Sequence, residues 1–125
     1  MAFDQNSVTL VGGLTRDPEL RATGNGTSVV QLGIAVNHGK KDKDGNWNDE
    51  ANFADVTAFG DLADNVAESL GKGDRVIVVG RFAWRQWEEK ETGAKRSKIE
   101  FIANSIGPDL SRATVEVSKN ERRDG

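Results

Sequence analysis

Apolar and polar positions alternate through most of this chain, and glycine-containing turns cut the alternation at short intervals. Period-two patterning of this kind marks strands with one face toward a core. A first strand is expected over Ser7–Gly13 (SVTLVGG), followed by the Pro18-containing connection TRDPELR and a turn at Thr23-Gly24-Asn25-Gly26. The next strand, Ser28–Asn37, places Val30, Leu32, Ile34 and Val36 on one face. Its other face carries Val29, Gln31, Gly33 and Ala35, small enough in places for another group to approach the backbone closely. A polar loop over His38–Asn52, with a turn at Asp44-Gly45-Asn46, leads into a strand at Phe53–Gly60. A helical period occurs over Asp61–Leu70, where Leu62, Val66 and Leu70 repeat, with Asp61 as expected N-cap and Gly71 as expected stop. Asp74–Glu89 predicts a long strand, Glu91-Thr92-Gly93-Ala94 a turn, and Lys95–Ile106 its partner, ended by Pro108. Ala113–Ser118 predicts one more short strand, and Lys119–Gly125 a frayed end.

Three strands, one helix and a two-stranded hairpin follow one another in that order. This is the order of a mainly all-β, five-stranded Greek-key OB barrel with one short α-helix between its strands three and four, here with an extra C-terminal strand. A generic small α+β sheet is the alternative that the pattern leaves open. At 125 residues the chain suits one domain with a real core. We place the OB domain at 1–110 and a short C-terminal extension at 111–125.

Composition removes several kinds of chemistry. With no cysteine there is no disulfide framework, zinc-thiolate site, iron–sulfur cluster or thiol nucleophile, and a single histidine, His38, excludes a two-histidine metal cluster. The loop from Asp42 to Glu50 resembles a calcium loop only superficially, because its glycine falls too early and no flanking helices are expected. Gly24-Asn25-Gly26 and Gly71-Lys72-Gly73 complete no phosphate-loop motif and read as turns. Asp61 and Asp64 share the first turn of the helix, where acidic side chains favourably oppose its dipole. No motif sets a nucleophile beside His38, so no enzyme, cofactor or metal is expected. The longest apolar runs, such as Val76-Ile77-Val78-Val79, are too short to span a membrane, and the N-terminus has no basic start or signal-peptide-length apolar stretch. A soluble cytoplasmic protein is expected.

A net charge of −3 argues against a dedicated duplex-DNA binder, but the charge is unevenly spread. From Asp55 to Gly80 there are two basic and five acidic residues; from Arg81 to Lys98 there are six basic and three acidic, with two of the three tryptophans. Strand parity sharpens this. Phe53, Asp55, Thr57 and Phe59 point one way and Ala54, Val56 and Ala58 the other, so the phenylalanines share a face with polar groups. In the next long strand Trp87 shares a face with Arg81 and Arg85, whereas Trp84 lies with Phe82 and Val78. Exposed rings beside cations suit single-stranded nucleic acid, whose unpaired bases stack while Arg and Lys follow the phosphates. The alternative is that Phe53, Phe59 and Trp87 are core, with the parity reversed by a bulge. For Trp84 core and binding surface are equally open.

At these residues the sequence resembles the bacterial single-stranded DNA-binding protein family, in its actinobacterial branch. The likeness runs through Val8-Thr9-Leu10-Val11-Gly12-Gly13-Leu14, Asp17-Pro18-Glu19-Leu20-Arg21, Phe53 to Gly60 and Asn65 to Arg81, in order over about residues 6–108. It implies an OB fold that binds single-stranded DNA without sequence preference, in replication, recombination and repair, as a homotetramer built from two dimers. Phe53, Phe59 and Trp87 fall at the family's base-stacking positions. Lys72, Arg81, Arg85, Lys95 and Arg96 fall along its DNA path, and Trp47 and Lys43 on its mobile loop.

Three departures stand out. Gly39-Lys40-Lys41 replaces a stacking tryptophan of many relatives, which suggests charge contacts from Lys40. Gly13 replaces the usual asparagine of a G-N-L motif. The long Gly/Pro/Gln-rich tail with its acidic tip is missing, so the chain is either a tail-less paralogue or a trimmed form, and recruitment of partners through the tail is expected to be absent. Residues 106–117 resemble the actinobacterial branch, in which an extra strand, here 113–118, clasps a neighbouring subunit; a disordered stub is the alternative. Two other functions compete: an OB-type protein-interaction module without DNA affinity, and an RNA-binding OB domain of the cold-shock type, against which the lack of clustered aromatic-rich strands counts.

Overall fold

The computed structural model describes residues 3–121. It contains β1 (Val8–Leu14), β2 (Glu19–Ala22), β3 (Ser28–Lys41), β4 (Trp47–Phe59), α1 (Asp61–Ser69), β5 (Arg75–Glu88) and β6 (Lys95–Pro108). The strands hydrogen-bond in the order β1-β5-β6-β4-β3, and β3 returns to β1 through Gly13↔Ala35 and Leu14↔Ile34, closing the barrel. The pairs are antiparallel except β4 with β6, which run parallel at Val56↔Phe101 and Thr57↔Ile102. This is the expected OB barrel, with its helix between the third and fourth barrel strands.

The alternating residues fill the interior as their parity requires. Val30, Leu32, Ile34, Val56, Ala58, Val76, Val78, Phe101 and Ala103 are buried together, and α1 adds Ala63 and Val66 over one end. Leu62 and Leu70 are partly buried against this core. Gly80 lets two strands approach: a Cβ there would collide with the Ile102 carbonyl oxygen and stand 2.8 Å from Phe101 Cε1.

The structure corrects the sequence reading in several places. The expected loop at residues 38–52 is largely strand, since β3 and β4 stay paired from Asn37↔Ala51 to Lys41↔Trp47 before turning at residues 42–46. Backbone ladder bonds need no apolar side chains, so the ribbon continues where the alternation stops. For the same reason β2, all of whose residues are exposed, had no hydrophobic signal; it pairs with β3 from Glu19↔Gln31 to Ala22↔Ser28. The N-cap of α1 is Gly60, without a side-chain cap bond, and Asp61 and Asp64 occupy the first turn. Leu70, in extended conformation, caps the C-terminus, and the left-handed turn falls to Gly73 (φ 91°) rather than Gly71.

Residues 113–118 form no strand within this chain. A strand needs a free edge beside it, and this segment instead lies along α1 and the end of β6, where Val115 and Val117 line a groove with Leu62, Val66 and Ile106. Asn120 Nδ2 donates to Asn65 Oδ1 at 3.0 Å. Of the C-terminal residues expected to fray, 122–125 lie outside the described residues.

Candidate nucleic-acid interface

Beyond the barrel the strands project as two ribbons, β3–β4 and β5–β6. The parallel contact of β4 with β6 joins them, and register then decides which side chains share a face. Thr57 lies beside Ile102, Ile102 pairs with Arg81, and Thr57 pairs with Gln31, giving one outward row across four strands. Along β4 the same face carries Trp47, Phe53, Asp55 and Phe59; along β5 it carries Arg85 and Trp87; along β6 it carries Arg96, Lys98 and Glu100. The inward residues Val56, Ala58, Phe101 and Ala103 are buried.

A bulge does occur, between Val79 and Gly80, where the partners step from Ser105 to Ala103. The extra residue is Asn104 on β6, so the parity of β5 runs on unbroken and Trp87 stays outward. Arg81 Nη1 donates to Asn104 Oδ1 at 2.7 Å, bracing the guanidinium at the bulge. The reading of Phe53, Phe59 and Trp87 as core is thereby excluded: all three are exposed, Phe53 at 76%.

Trp87 faces Arg96 across the ribbon, and the Arg85 guanidinium carbon is 5.9 Å from its ring centroid. Arg85 also pairs with Glu100 at 3.6 Å, and Arg96 Nε donates to Glu89 Oε1 at 2.7 Å. Trp47 is 71% exposed, and its ring covers Gly39, where a Cβ would stand 3.2 Å from Cε3. Lys40 pairs with Glu50 at 3.6 Å, which also lies 3.4 Å from His38. Lys43 lies in the exposed turn held by Asp42, whose carboxylate accepts from the Asp44 and Asn46 amides and from Asn48 Nδ2. These bonds, the Asn46 amide above all, hold the Asp42 carboxyl below its usual range. The loop once comparable to a calcium site is therefore a hairpin turn capped from within.

Four expected contacts stand apart from this face. The first is Lys40, which pairs with Asn48 in the ladder and has the parity of the buried Val30, Leu32 and Ile34. Trp84 has the inward parity, with Phe82 and Ile99, but lies past the barrel's end and is 64% exposed, so it is not core. Lys95 pairs with Glu88 on that same reverse face. Lys72 sits on the α1–β5 loop, where its amide donates to Asp17 Oδ1 at 2.7 Å, at the opposite end of β5 from Trp87. Conversely, Lys98 and Arg16 reach the outward face although neither was singled out. For Arg16 the signal was Gly33, a mid-strand glycine that its side chain crosses.

A closed five-stranded barrel bearing exposed rings and cations on one continuous face defines an OB-fold binding protein. The pattern of the single-strand binding protein family matches residues 5–109, and the chain belongs to that family. It is 44% identical over 127 aligned residues to a single-stranded DNA-binding protein of Mycobacterium leprae, covering 100% of this chain and 74% of that one. It is 42% identical over 120 residues to one from Paenarthrobacter aurescens, covering 94% and 70%. Among solved structures, a deletion mutant of the single-stranded DNA binding protein from Thermus aquaticus superposes with a TM-score of 0.73 at 31% identity. That match covers 86% of this chain but only 52% of the Thermus chain, so the present chain spans about half its length.

Proposed function

We propose that this protein binds single-stranded DNA without sequence preference and without catalysing a reaction, protecting it during replication, recombination and repair in the bacterial cytoplasm. The observation that carries the reading is the single outward face on which Trp47, Phe53 and Phe59 of β4 and Trp87 of β5 lie together with Arg81, Arg85, Arg96 and Lys98 of the β5–β6 ribbon. Trp47, Phe53 and Phe59 recur every six residues, about 20 Å apart along an extended strand. Unpaired bases stack on such rings while the cations follow the phosphates, and a duplex, with its bases already stacked, gains little. Lys40, Lys43 and Lys72 would contribute charge from the periphery. Trp84 and Lys95 would meet the strand where it passes round the edge of the β5–β6 ribbon.

The same reading includes a homotetramer. Ile77 and Val79 are exposed on the outer side of β5, and their register partners on β1 are Val11 and Thr9. Over residues 8–11 the second edge of β1 has no strand partner among the described residues. An apolar, open sheet edge favours addition of a second copy. Residues 113–118, outside the 1–110 domain and unpaired within the chain, would then clasp a neighbouring subunit.

Intrinsic tryptophan fluorescence during titration with oligo-dT, repeated with duplex DNA and at raised salt, tests the function. Quenching by oligo-dT, with affinity falling as salt rises, is the expected result. Absence of both quenching and a gel shift would overturn it in favour of a protein-interaction module. Preference for oligo-U over oligo-dT would favour RNA.

A further inference from the structure

Between Phe53 and Phe59 the outward face carries Asp55 and Thr57 on β4, opposite Gly33 and Gln31 on β3. None of these side chains is cationic, and a carboxylate in the middle of a phosphate path would repel the strand that the flanking rings hold. The cation comes from outside the sheet. The Thr15 amide donates to the Gly33 carbonyl at 2.9 Å, drawing the connection after β1 across β3. Arg16 then lies in the space that Gly33 leaves, where a Cβ would stand 2.5 Å from Nη1 and collide with Thr15 Oγ1. Its Nη2 is 3.7 Å from Asp55 Oδ1, with the two side chains 52% and 87% exposed.

Building on the single-strand reading, we propose that Arg16 is a phosphate ligand on this face and that Asp55 is its exchangeable counter-ion. The separation from Asp55 is longer than a hydrogen bond, and an ion pair this exposed is weak. A guanidinium has five donors arranged to grip a phosphate oxygen pair, and among the described residues the Arg16 head is held only by this loose ion pair. Gly33 and the Thr15 amide place the base of the side chain, and Asp55 keeps its head on the face in the free protein. Binding exchanges the carboxylate for a phosphodiester. Asp55 therefore lowers affinity while it positions Arg16.

The test is oligo-dT affinity over a range of salt concentrations for the parent and for Arg16→Ala, Arg16→Lys and Asp55→Asn, with thermal melting of each. Arg16→Ala should weaken binding and make the log–log salt slope shallower by about 0.7, the value of one phosphate contact on a single strand. Arg16→Lys should restore the slope. Asp55→Asn, at an open position, should bind about two- to fivefold tighter. Parental slope and affinity in Arg16→Ala, or no tightening in Asp55→Asn, overturns the proposal while leaving single-strand binding intact. A parent that does not bind oligo-dT overturns both.

Discussion

Thr57 stands beside Ile102 in the parallel pairing of β4 with β6, and that contact puts rings from one hairpin and cations from the other on the same outward surface. Phe53 and Phe59 reach this surface from β4 and Trp87 from β5, and all three are exposed. Replacing any one of them with Ala should cost about 1–3 kcal/mol of oligo-dT binding. Melting temperature should hardly change, since no core contact is lost. Titration and melting of the same three variants separate stacking from packing: unchanged affinity with lowered stability would make the residue a packing residue.

Gly80 sits at the bulge against the Ile102 carbonyl and the Phe101 ring. Gly80→Ala has to displace backbone, and should cost about 1–3 kcal/mol of folding stability, the range of overpacked cores. Gly13, with nothing within 4 Å of its would-be Cβ, supplies the control. Denaturant unfolding of Gly80→Ala and Gly13→Ala should show a shifted midpoint for the first alone.

Removal of residues 112–125 should lower the melting temperature and weaken subunit association while leaving oligo-dT affinity nearly unchanged. The groove that Val115 and Val117 line lies over α1 and the end of β6, away from the ring-bearing face. Unaltered melting and assembly in the shortened protein would remove the clasp.

Asp109 makes stability sensitive to acid. The Ser111 amide at 3.0 Å and then Arg75 Nε at 2.8 Å hold its carboxyl below the usual value. A carboxyl depressed in the folded state binds fewer protons there than in the unfolded chain. Its stabilisation is complete above the unfolded value of about 3.9 and is lost as pH falls through the folded one. Asp109→Asn should therefore melt lower than the parent at neutral pH, and the gap should close as pH falls below about 4. A gap constant with pH would show that the pair does not contribute through ionisation.

Patterning made the barrel legible because each of its strands has one dry side. Val30, Leu32 and Ile34, and Val56 with Ala58, announce their faces by period two, and the ladder preserves those faces. The exposed ribbon at residues 38–52 and strand β2 were illegible, since backbone pairing outside a core leaves no apolar trace. The same gap hid the position of residues 113–118: Val115 and Val117 alternate like a strand, yet what lies beside them is not written in their own residues.

Local parity along β4 and β5 pointed Phe53, Phe59 and Trp87 away from the core, because side-chain direction in a strand follows from the backbone. Only the structure, with its bulge on β6, excluded a reversal. Whether those two faces were one face depended on the β4–β6 pairing, a contact between residues far apart in the chain. The separation of Lys95 from the others depended on the β5–β6 register, and the seat of Arg16 on Gly33 depended on the connection after β1 crossing β3. Alternation is a property of neighbours along the backbone; adjacency across a closed barrel exists only once every strand has found its partner.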